Sequence, residues 1–389
     1  MKAGWQTLKL GELVDVQNGY AFSSKDYSNA GHFVMRIGNV QNGFISIADP
    51  KFIKLPVDGS LQRFALSEGD ILVSLTGNVG RVGVIQEEHL PAALNQRVAR
   101  VTVREDSAVT RDLLLLFLTS EWFRQELTGA GHGAAQQNVS TKDITGIQIP
   151  VPPLPEQRRI VAILDEAFDG IATAKANTEK NLQYARALLE SHLQSVFTER
   201  GEGWSEKTLA VLCELISGQH IDAKDYNTNG RGVGYLTGPS DFGALNPVIT
   251  KWSEHPKRMA RAGDILVTVK GSGVGKINLL DTNEVAISRQ LMAIRAITAD
   301  VSYLYAFLST KFEYFQSLST GAAIPGISRE DVLNLMCPMP PPEEQPAIVE
   351  LIHVMQKETQ RLESIYQQKL TALDDLKKSL LHQAFSGNL

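Results

Sequence analysis

Residues 271–276 read GSGVGK, a glycine-rich stretch ending in lysine that has the look of a phosphate-binding loop. A loop of that kind needs a further glycine at its start and a serine or threonine directly after the lysine. Lys270 occupies the first of these positions and Ile277 the second. The matching stretch in the first half of the chain, TGNVGR at 76–81, lacks the motif altogether. The sequence therefore does not predict a nucleotide site.

Other catalytic chemistry is equally hard to place. Asn246-Pro247 is followed by Val248, whereas amino-methyltransferases carry a second proline and then an aromatic residue in their Asn/Asp-Pro motif. No glycine-rich loop for S-adenosylmethionine is visible, and the eight histidines form no cluster with metal-ligand spacing. The sequence thus predicts no catalytic residue, no metal and no cofactor in this chain, and it disfavours an enzyme.

Composition describes an ordinary globular protein of more than one domain. Its 389 residues exceed the roughly 250 to 300 at which one hydrophobic core stops growing. No apolar run approaches the roughly 18 residues of a membrane span, no secretory segment is visible, and Cys213 and Cys337 are too few for a disulfide framework. These features predict a cytoplasmic protein. The net charge of −5 does not by itself indicate a nucleic-acid binder.

The elements that would position any binding residues are written twice. GDILVSLTG at 69–77 returns as GDILVTVKG at 263–271, and residues 5–27 align without a gap on 204–226. Each half is predicted to hold short strands among glycine turns, followed by a helix. The number of positions that separates equivalent residues of the two halves falls along the chain and then stays constant at 188 to the end of the repeat. A continuous helix requires such a constant separation, because it tolerates no insertion or deletion.

A long helix is predicted at the end of each half. Proline-rich boundaries at 151–155 and 339–342 precede apolar residues at 3-4 spacing, interrupted in the first copy only by Thr178. A run of about 44 residues would be roughly 66 Å long, more than one small domain needs for its core. Two matching seams most simply pack on each other as an antiparallel coiled coil with a pseudo-two-fold relation between the halves.

The predicted fold class is therefore α+β, with two similar globular α/β domains separated by two long helices. The predicted boundaries are residues 1–153 and 203–341 for the globular domains, and 154–202 and 342–389 for the helices.

This organisation resembles the specificity subunit of type I restriction-modification enzymes, and the resemblance covers the whole chain. Its most specific parts are PLPEQRRIVAILD at 153–165, PPPEEQPAIVELI at 340–352 and LKKSLLHQAFSG at 376–387. Departures are modest: Glu343 stands at the position equivalent to Pro155, and Lys377 interrupts the apolar spacing of the second long helix.

The resemblance implies that each globular part is a target recognition domain for one half of a bipartite, asymmetric double-stranded DNA site. It also implies that the helices set the spacer and dock two methyltransferase (M) subunits, with restriction (R) subunits added outside. S-adenosylmethionine would then be held by the methyltransferase. The alternative is a coiled-coil scaffold whose globular ends bind proteins, which only the acidic pI of about 6.0 favours.

Candidate DNA contacts are polar and basic residues on loops beside the predicted strands. Arginine and lysine suit phosphates and guanine edges, whereas asparagine and glutamine suit adenine. Arg81 and Lys276 follow equivalent glycine turns, which indicates a shared contact to the DNA backbone. An ordinary capping or solvated role is the alternative for every candidate, and the stretches 129–138 and 319–326 are either contact loops or connectors. The candidates are Arg36, Asn39, Arg81, Gln96 and Arg97 in the first half, and Lys270, Ser272, Lys276, Arg289 and Gln290 in the second.

Overall fold

The computed structural model describes residues 2, 4–56, 59–130, 138–319 and 325–389. The chain divides into two compact units, the first formed by Met1–Glu179 with Gln368–Leu389 and the second by Lys180–Gln367. Each unit therefore combines one globular part with one segment from each long helix.

In unit 1 the described strands form a four-stranded sheet in the order β2-β10-β7-β8, a five-stranded sheet β3-β5-β4-β9-β6 and a separate pair β1-β11. The strands are β1 (Gln6–Lys9), β2 (Val14–Asn18), β3 (Tyr27–Ser28), β4 (His32–Met35), β5 (Phe52–Ile53), β6 (Ala65–Leu66), β7 (Ile71–Ser74), β8 (Val82–Val84), β9 (Ala92–Leu94), β10 (Val98–Val103) and β11 (Gln148–Val151). The helices up to the end of the first long one are α1 (Leu10–Leu13), α2 (Arg111–Leu118), α3 (Glu121–Ala130), α4 (Thr141–Gly146) and α5 (Leu154–Thr198).

Unit 2 repeats this topology with one strand fewer in the second sheet: its sheets are β13-β20-β17-β18 and β15-β14-β19-β16, and its separate pair is β12-β21. Its strands are β12 (Ser205–Thr208), β13 (Cys213–Ser217), β14 (Val233–Leu236), β15 (Trp252–Ser253), β16 (Met259–Arg261), β17 (Ile265–Thr268), β18 (Ile277–Leu279), β19 (Glu284–Ile287), β20 (Leu291–Ala296) and β21 (Met336–Met339). The remaining helices are α6 (Leu209–Leu212), α7 (Val301–Ser309), α8 (Phe312–Leu318), α9 (Arg329–Leu333) and α10 (Gln345–Ser386). The predicted α+β fold with an internal repeat is confirmed.

The repeated GDIL motif leads into an inner strand of the first four-stranded sheet in each unit, β7 and β17. All four residues of each strand are buried, and alternate side chains enter different apolar clusters, so both faces of the strand are covered. The preceding Gly69 and Gly263 have φ of +84° and +88°, a conformation that side chains with a Cβ rarely adopt. These requirements explain why apolar residues and glycine recur in the motif.

The aspartate of each GDIL motif pairs with an arginine on a neighbouring strand. Arg295 on β20 donates to both carboxylate oxygens of Asp264, from Nε at 2.9 Å and Nη2 at 2.8 Å. Arg100 on β10 donates from Nη1 to Oδ2 of Asp70 at 3.2 Å. The Asp264 side chain is 1% exposed, so the paired arginine compensates a charge that burial would otherwise make costly.

The two long helices pack against each other in antiparallel fashion, as each unit shows by itself. In unit 1, Arg159 Nη2 near the start of α5 donates to the carbonyl of Leu389 after α10 at 2.7 Å, and further along α5 Lys175 forms an ion pair with Asp374. In unit 2, Arg186 Nε donates to Glu363 Oε1 at 2.6 Å, and further along α5 its last turns share a core with the first turns of α10. Residue numbers therefore rise along α5 while they fall along the adjacent α10, which confirms the predicted antiparallel pair.

Each long helix contributes to the core of both globular parts. The first turns of α5 and the last turns of α10 pack into the core of unit 1, whereas the last turns of α5 and the first turns of α10 pack into that of unit 2. In unit 1, Phe385 meets Phe117 edge-on with ring centroids 5.2 Å apart, and in unit 2 Phe197 meets Phe307 edge-on at 5.4 Å. The apolar seam predicted from sequence thus serves both helix pairing and domain packing.

Candidate DNA interface

Three connections converge at one edge of unit 1. Strands β4 and β9 run parallel with Met35 opposite Leu94, so the segments that follow them leave the sheet side by side. In the neighbouring sheet Ser74 lies opposite Val98, so the turn after β7 lies beside the turn before β10. The amide of Gly43 also donates to the carbonyl of Val82 at 2.8 Å, which ties the first connection to β8. We call this surface the loop edge of unit 1, and it consists of residues 36–48, 75–81 and 95–97.

Unit 2 builds the same edge from the equivalent strands. Leu236 lies opposite Ile287 in the parallel pair β14-β19, and Thr268 lies opposite Leu291 in the pair β17-β20. The amide of Leu279 donates to the carbonyl of Leu245 at 2.9 Å, which ties the first connection to β18 as the corresponding one is tied to β8. The loop edge of unit 2 consists of residues 237–248, 269–276 and 288–290. The ten candidate contacts all lie on these two edges, five in each unit.

The middle of each edge is a β-turn that joins the two sheets. In unit 1 the amide of Val98 donates to the carbonyl of Asn95 at 2.9 Å, and in unit 2 that of Leu291 donates to Ser288 at 2.9 Å. The first residue of each turn is buried, at 8% exposure for Asn95 and 4% for Ser288. The two central residues of each turn are exposed, and we call them the central pairs: Gln96 with Arg97, and Arg289 with Gln290.

A glycine lies directly behind each β-turn. A Cβ added to Gly19 would lie 2.2 Å from the carbonyl oxygen of Asn95, and one added to Gly218 would lie 2.0 Å from that of Ser288. No side chain fits at either position, because the turn occupies that space. This packing explains why Gly19 recurs as Gly218 in the sequence repeat.

Arg36 and Asn39 hold the first connection of unit 1 together. The Asn39 side chain is 2% exposed; its Oδ1 accepts the Arg36 amide at 3.0 Å and its Nδ2 donates to the carbonyls of Ser46 and Ala48. Arg36 Nη2 donates to Oδ2 of Asp49 at 2.9 Å. A DNA contact by Asn39 would require these internal hydrogen bonds to break, so the structure gives it a positioning role, and its contact to DNA stays a prediction.

Asp241 holds the corresponding connection of unit 2, and sequence reasoning missed it. Its Oδ2 accepts hydrogen bonds from the amide of Thr237 at 2.5 Å and from the Thr237 hydroxyl at 2.8 Å, and the residue is 7% exposed. The Ser/Asp pattern in TGPSD was a usable signal, because short polar side chains near glycine and proline commonly cap turns.

Arg81 and Lys276 occupy equivalent backbone positions but differ in surroundings. The carbonyl of Arg81 accepts the amide of Ser74 at 3.0 Å, and that of Lys276 accepts the amide of Thr268 at 2.8 Å. Arg81 is half-buried and donates from Nη1 to Oε1 of Gln41 at 2.7 Å. Lys276 is exposed, as are Lys270 and Ser272 before it.

The glycine- and alanine-rich stretches begin beside the same edges. Asn138 forms a β-bridge with Thr76, and Gly326 forms one with Lys270. The greater part of both stretches, residues 131–137 and 320–324, lies outside the described residues, so their predicted role as contact loops or connectors stays a prediction.

Other chemistry is sparse in the described part of the chain. No group of three or more histidine, cysteine, aspartate or glutamate side chains there could hold a metal ion. Cys213 and Cys337 are both buried, and burial raises the pKa of their thiols to about 11 and about 12. Among the helices that the structure describes, none is long and apolar enough to cross a membrane.

Comparison with known proteins gives a consistent result. The model of the family described as "Type I restriction modification DNA specificity domain" matches twice, at residues 2–183 and 201–372. The putative type I restriction enzyme MjaX specificity subunit of Methanocaldococcus jannaschii is 24% identical over 388 residues, which cover 92% of this chain and 90% of that protein. The EcoKI specificity subunit of Escherichia coli K12 is 24% identical over 387 residues, which cover 92% of this chain and 82% of that protein.

Solved structures share the fold. A chain from a study of complex assembly and conformational transition of the type I R-M system matches with a TM-score of 0.80 at 24% identity, covering 100% of this chain and 99% of that one. The HsdS subunit from Thermoanaerobacter tengcongensis matches with a TM-score of 0.60 at 23% identity, covering 100% and 98%. Nothing in these comparisons supports a protein-interaction scaffold. Because the family model matches each of the two repeats, this chain belongs to the type I restriction-modification specificity family, as a non-catalytic DNA-specificity subunit that works with DNA and with other subunits of its complex.

Proposed function

We propose that the two loop edges are the surfaces that read a bipartite, asymmetric site on double-stranded DNA, one half-site each. The observation that carries this proposal is that both units build the same three-connection edge and place different side chains on it. A common scaffold gives two recognition surfaces of the same geometry, and different side chains make the two half-sequences different. The ten candidate residues are accordingly proposed as the polar surface that faces the DNA, with Asn39 acting from below it.

Local charge on these edges supports contact with a polyanion, although the whole chain is acidic. Arg97, Arg289, Lys270 and Lys276 are all exposed, and none of the described residues forms an ion pair with them. Exposed cations attract the negatively charged DNA, and the affinity that they contribute falls as the salt concentration rises, because the release of counterions from the DNA then gains less free energy. Lys276 and Arg81, at equivalent backbone positions, are proposed as contacts to the DNA backbone.

The long helices are proposed as the docking sites for two methyltransferase subunits. Exposed apolar residues recur on them exactly one repeat apart, which is 188 positions: unit 1 carries Ile163 and Leu376, and unit 2 carries Leu351 and Leu188. Exposed apolar side chains at equivalent places favour two copies of one partner. Restriction subunits would then join outside the methyltransferases, and S-adenosylmethionine would be held by the methyltransferase.

The proposed functions are assigned to the domains with the boundaries predicted from sequence. Residues 1–153 and 203–341 form the two target recognition domains, and residues 154–202 and 342–389 form the helical spacer that sets the distance between half-sites. The assembled complex would act in the cytoplasm.

Co-expression of this chain with its methyltransferase, followed by mapping of methylated adenines across the host genome, tests the proposal. The expected result is one motif made of two different half-sequences separated by an unspecified spacer of fixed length. Mobility-shift measurements at low salt, with and without the methyltransferase, provide a second readout. A complex that never retards DNA and leaves no methylated motif would overturn the proposal and favour a scaffold.

A further inference from the structure

We propose that the central pairs, Gln96 with Arg97 and Arg289 with Gln290, are the residues that read bases, one pair for each half-site. This inference rests on the proposed function and goes beyond it by separating base-reading side chains from those that contact the backbone or support the loops.

The backbone of each β-turn is hydrogen-bonded to neighbouring segments of its unit, so the central pair is presented in a defined place. In unit 1 the carbonyl of Met35 accepts the Asn95 amide at 3.3 Å, the carbonyl of Tyr20 accepts the Gln96 amide at 2.9 Å, and the carbonyl of Arg97 accepts the Leu75 amide at 3.0 Å. These bonds tie the turn to β4 and to the segments that directly follow β2 and β7. A rigid support is what specific recognition requires.

Unit 2 holds its turn by counterparts of two of these three bonds and by the hydroxyl of Ser288. The carbonyl of Leu236 accepts the Ser288 amide at 2.9 Å, and the carbonyl of Gln290 accepts the Val269 amide at 2.8 Å. The Ser288 hydroxyl adds a donor bond to the carbonyl of Thr237 at 2.5 Å and accepts the Gln290 amide at 3.1 Å. The two central pairs therefore occupy structurally equivalent places.

The side chains of the central pairs are free to bind something else. Within the described part of the chain, no hydrogen bond or ion pair engages the side chains of Gln96, Arg97, Arg289 or Gln290. The neighbouring polar side chains of unit 1 are already used, since Arg36 bonds Asp49 and Arg81 bonds Gln41. Free donors and acceptors that remain exposed on a fixed turn distinguish the central pairs from Arg36 and Arg81, whose guanidinium groups already have partners within the protein.

The chemistry of the two residue types then suggests what each half-site contains. Arginine makes a bidentate contact to O6 and N7 of guanine, and glutamine makes one to N6 and N7 of adenine in the major groove. Each half-site is therefore inferred to require one guanine and one adenine that face the central pair. Because glutamine precedes arginine in unit 1 and follows it in unit 2, the two bases are read in opposite order along the turn.

Replacement of Arg97 by alanine in the complex with the methyltransferase tests this inference. Methylome sequencing should show that one guanine in one half-site is no longer required, with discrimination at that position reduced by about 10- to 100-fold, the range expected for a lost bidentate contact. The other half-site should be unchanged and serves as an internal control. Arg104→Ala is the matched control variant, since Arg104 is an exposed arginine at the other end of β10 that pairs with Asp15.

A second variant moves a base-reading group without removing it. A Cβ on Gly238 would lie 2.3 Å from Oε1 of Gln290, so Gly238→Ala should push this flexible carboxamide aside and relax one adenine in the other half-site. An unchanged motif in both Arg97→Ala and Gly238→Ala, alongside a normal wild-type motif, would overturn the inference and leave the proposed function standing. A uniform loss of methylation at every sequence would also overturn it, because that is the signature of a phosphate contact. Absence of any motif with the wild-type complex would instead refute the proposed function.

Discussion

Glu156, in the first turn of α5, carries the most strongly shifted carboxyl group that the structure describes in unit 1. Hydrogen bonds from Arg159 and then Lys2 lower its pKa from about 4.5 to about 2. A group whose pKa is lower in the folded state stabilises the fold above its unfolded pKa and loses that contribution as the pH falls toward the folded value. The interaction therefore stabilises unit 1 at neutral pH and disappears between about pH 4.5 and pH 2.

Glu156→Gln should accordingly lower the melting temperature of unit 1 at pH 7, and the difference from the wild type should shrink as the pH is lowered toward 2. Differential scanning calorimetry over that range measures the effect. Glu166→Gln is the matched control, because Glu166 is an exposed residue of the same helix for which the structure describes no ion pair. A difference from the wild type that stays constant from pH 7 to pH 3 would contradict the assignment.

Residue roles were the part least accessible from sequence. Residue type and nearness to glycine turns were enough to place all ten candidates on loops. Which of them are committed to internal bonds depends on distant partners, as with Arg36 and Asp49 or Arg81 and Gln41. No local sequence pattern predicts such pairs, because the partners are brought together only after the sheets have formed.

Elements were predicted better than residues, because their signals are local or periodic. The constant offset of 188 and the 3-4 spacing predicted both long helices, which the structure gives as Leu154–Thr198 and Gln345–Ser386. The parallel pairing of β4 with β9 could not be predicted, because it joins segments about 60 residues apart. That pairing creates the loop edge of unit 1. The sequence alone therefore could not show that the candidate DNA contacts of this half lie close together.

The β-turn of unit 1 depends on the absence of a side chain behind it. Gly19→Ala should destabilise unit 1 by about 1–3 kcal/mol, since the new Cβ overlaps the Asn95 carbonyl and must displace it. The same displacement should weaken recognition of one half-site only. Thermal unfolding and binding to duplexes altered in one half-site measure the two effects.

Gly38→Ala is the control for this variant, because Gly38 lies on the same loop edge and a Cβ there would meet nothing within 4 Å. We expect it to keep wild-type stability and binding. Wild-type behaviour of Gly19→Ala as well would show that the turn yields easily and is not a fixed support.

The exposed leucines of the long helices lead to a separate prediction about how many methyltransferase subunits bind. Leu188→Ser in unit 2 and Leu376→Ser in unit 1 should each weaken one methyltransferase site by about tenfold, since removing an exposed leucine from an interface forfeits roughly 1–2 kcal/mol of apolar burial. At subunit concentrations between the wild-type dissociation constant and the tenfold higher one, native mass spectrometry should find mostly complexes with one methyltransferase for either single variant and mostly free chain for the double variant. Val211→Ser is the control, because Val211 is 60% exposed but its counterpart in the other half is Glu12. Two bound methyltransferases in the double variant would place the docking surface elsewhere.

For the whole molecule, we expect the length of the helix pair to set the distance between the two half-sites on the DNA. The ion pairs Lys175–Asp374 and Arg186–Glu363 fix a register in which the bond after Asn181 lies opposite the bond after Gln367. Insertion of one heptad at both places should preserve the seam and lengthen each helix by about 10 Å, roughly three base pairs of DNA.

The methylated motif should then keep both half-sequences and gain spacer length, with lower affinity because three base pairs rotate one half-site by roughly 100°. Methylome sequencing decides the matter, and a heptad inserted in α5 alone is the control that breaks the register. An unchanged spacer after the matched insertion would show that the helices do not set the distance.

The burial of Phe385 in unit 1 has a consequence for folding while the chain is being synthesised. Together with Leu381 and Ala384 it is buried in the core of unit 1, against Phe117. Unit 2 is continuous in the chain, so a growing polypeptide contains all of it once Gln367 has been made. Unit 1 was begun first, but its core cannot close until residues 368–389 have also been made. A premature stop directly after Gln367 would therefore damage the unit that was begun first and leave the residues of the other unit complete.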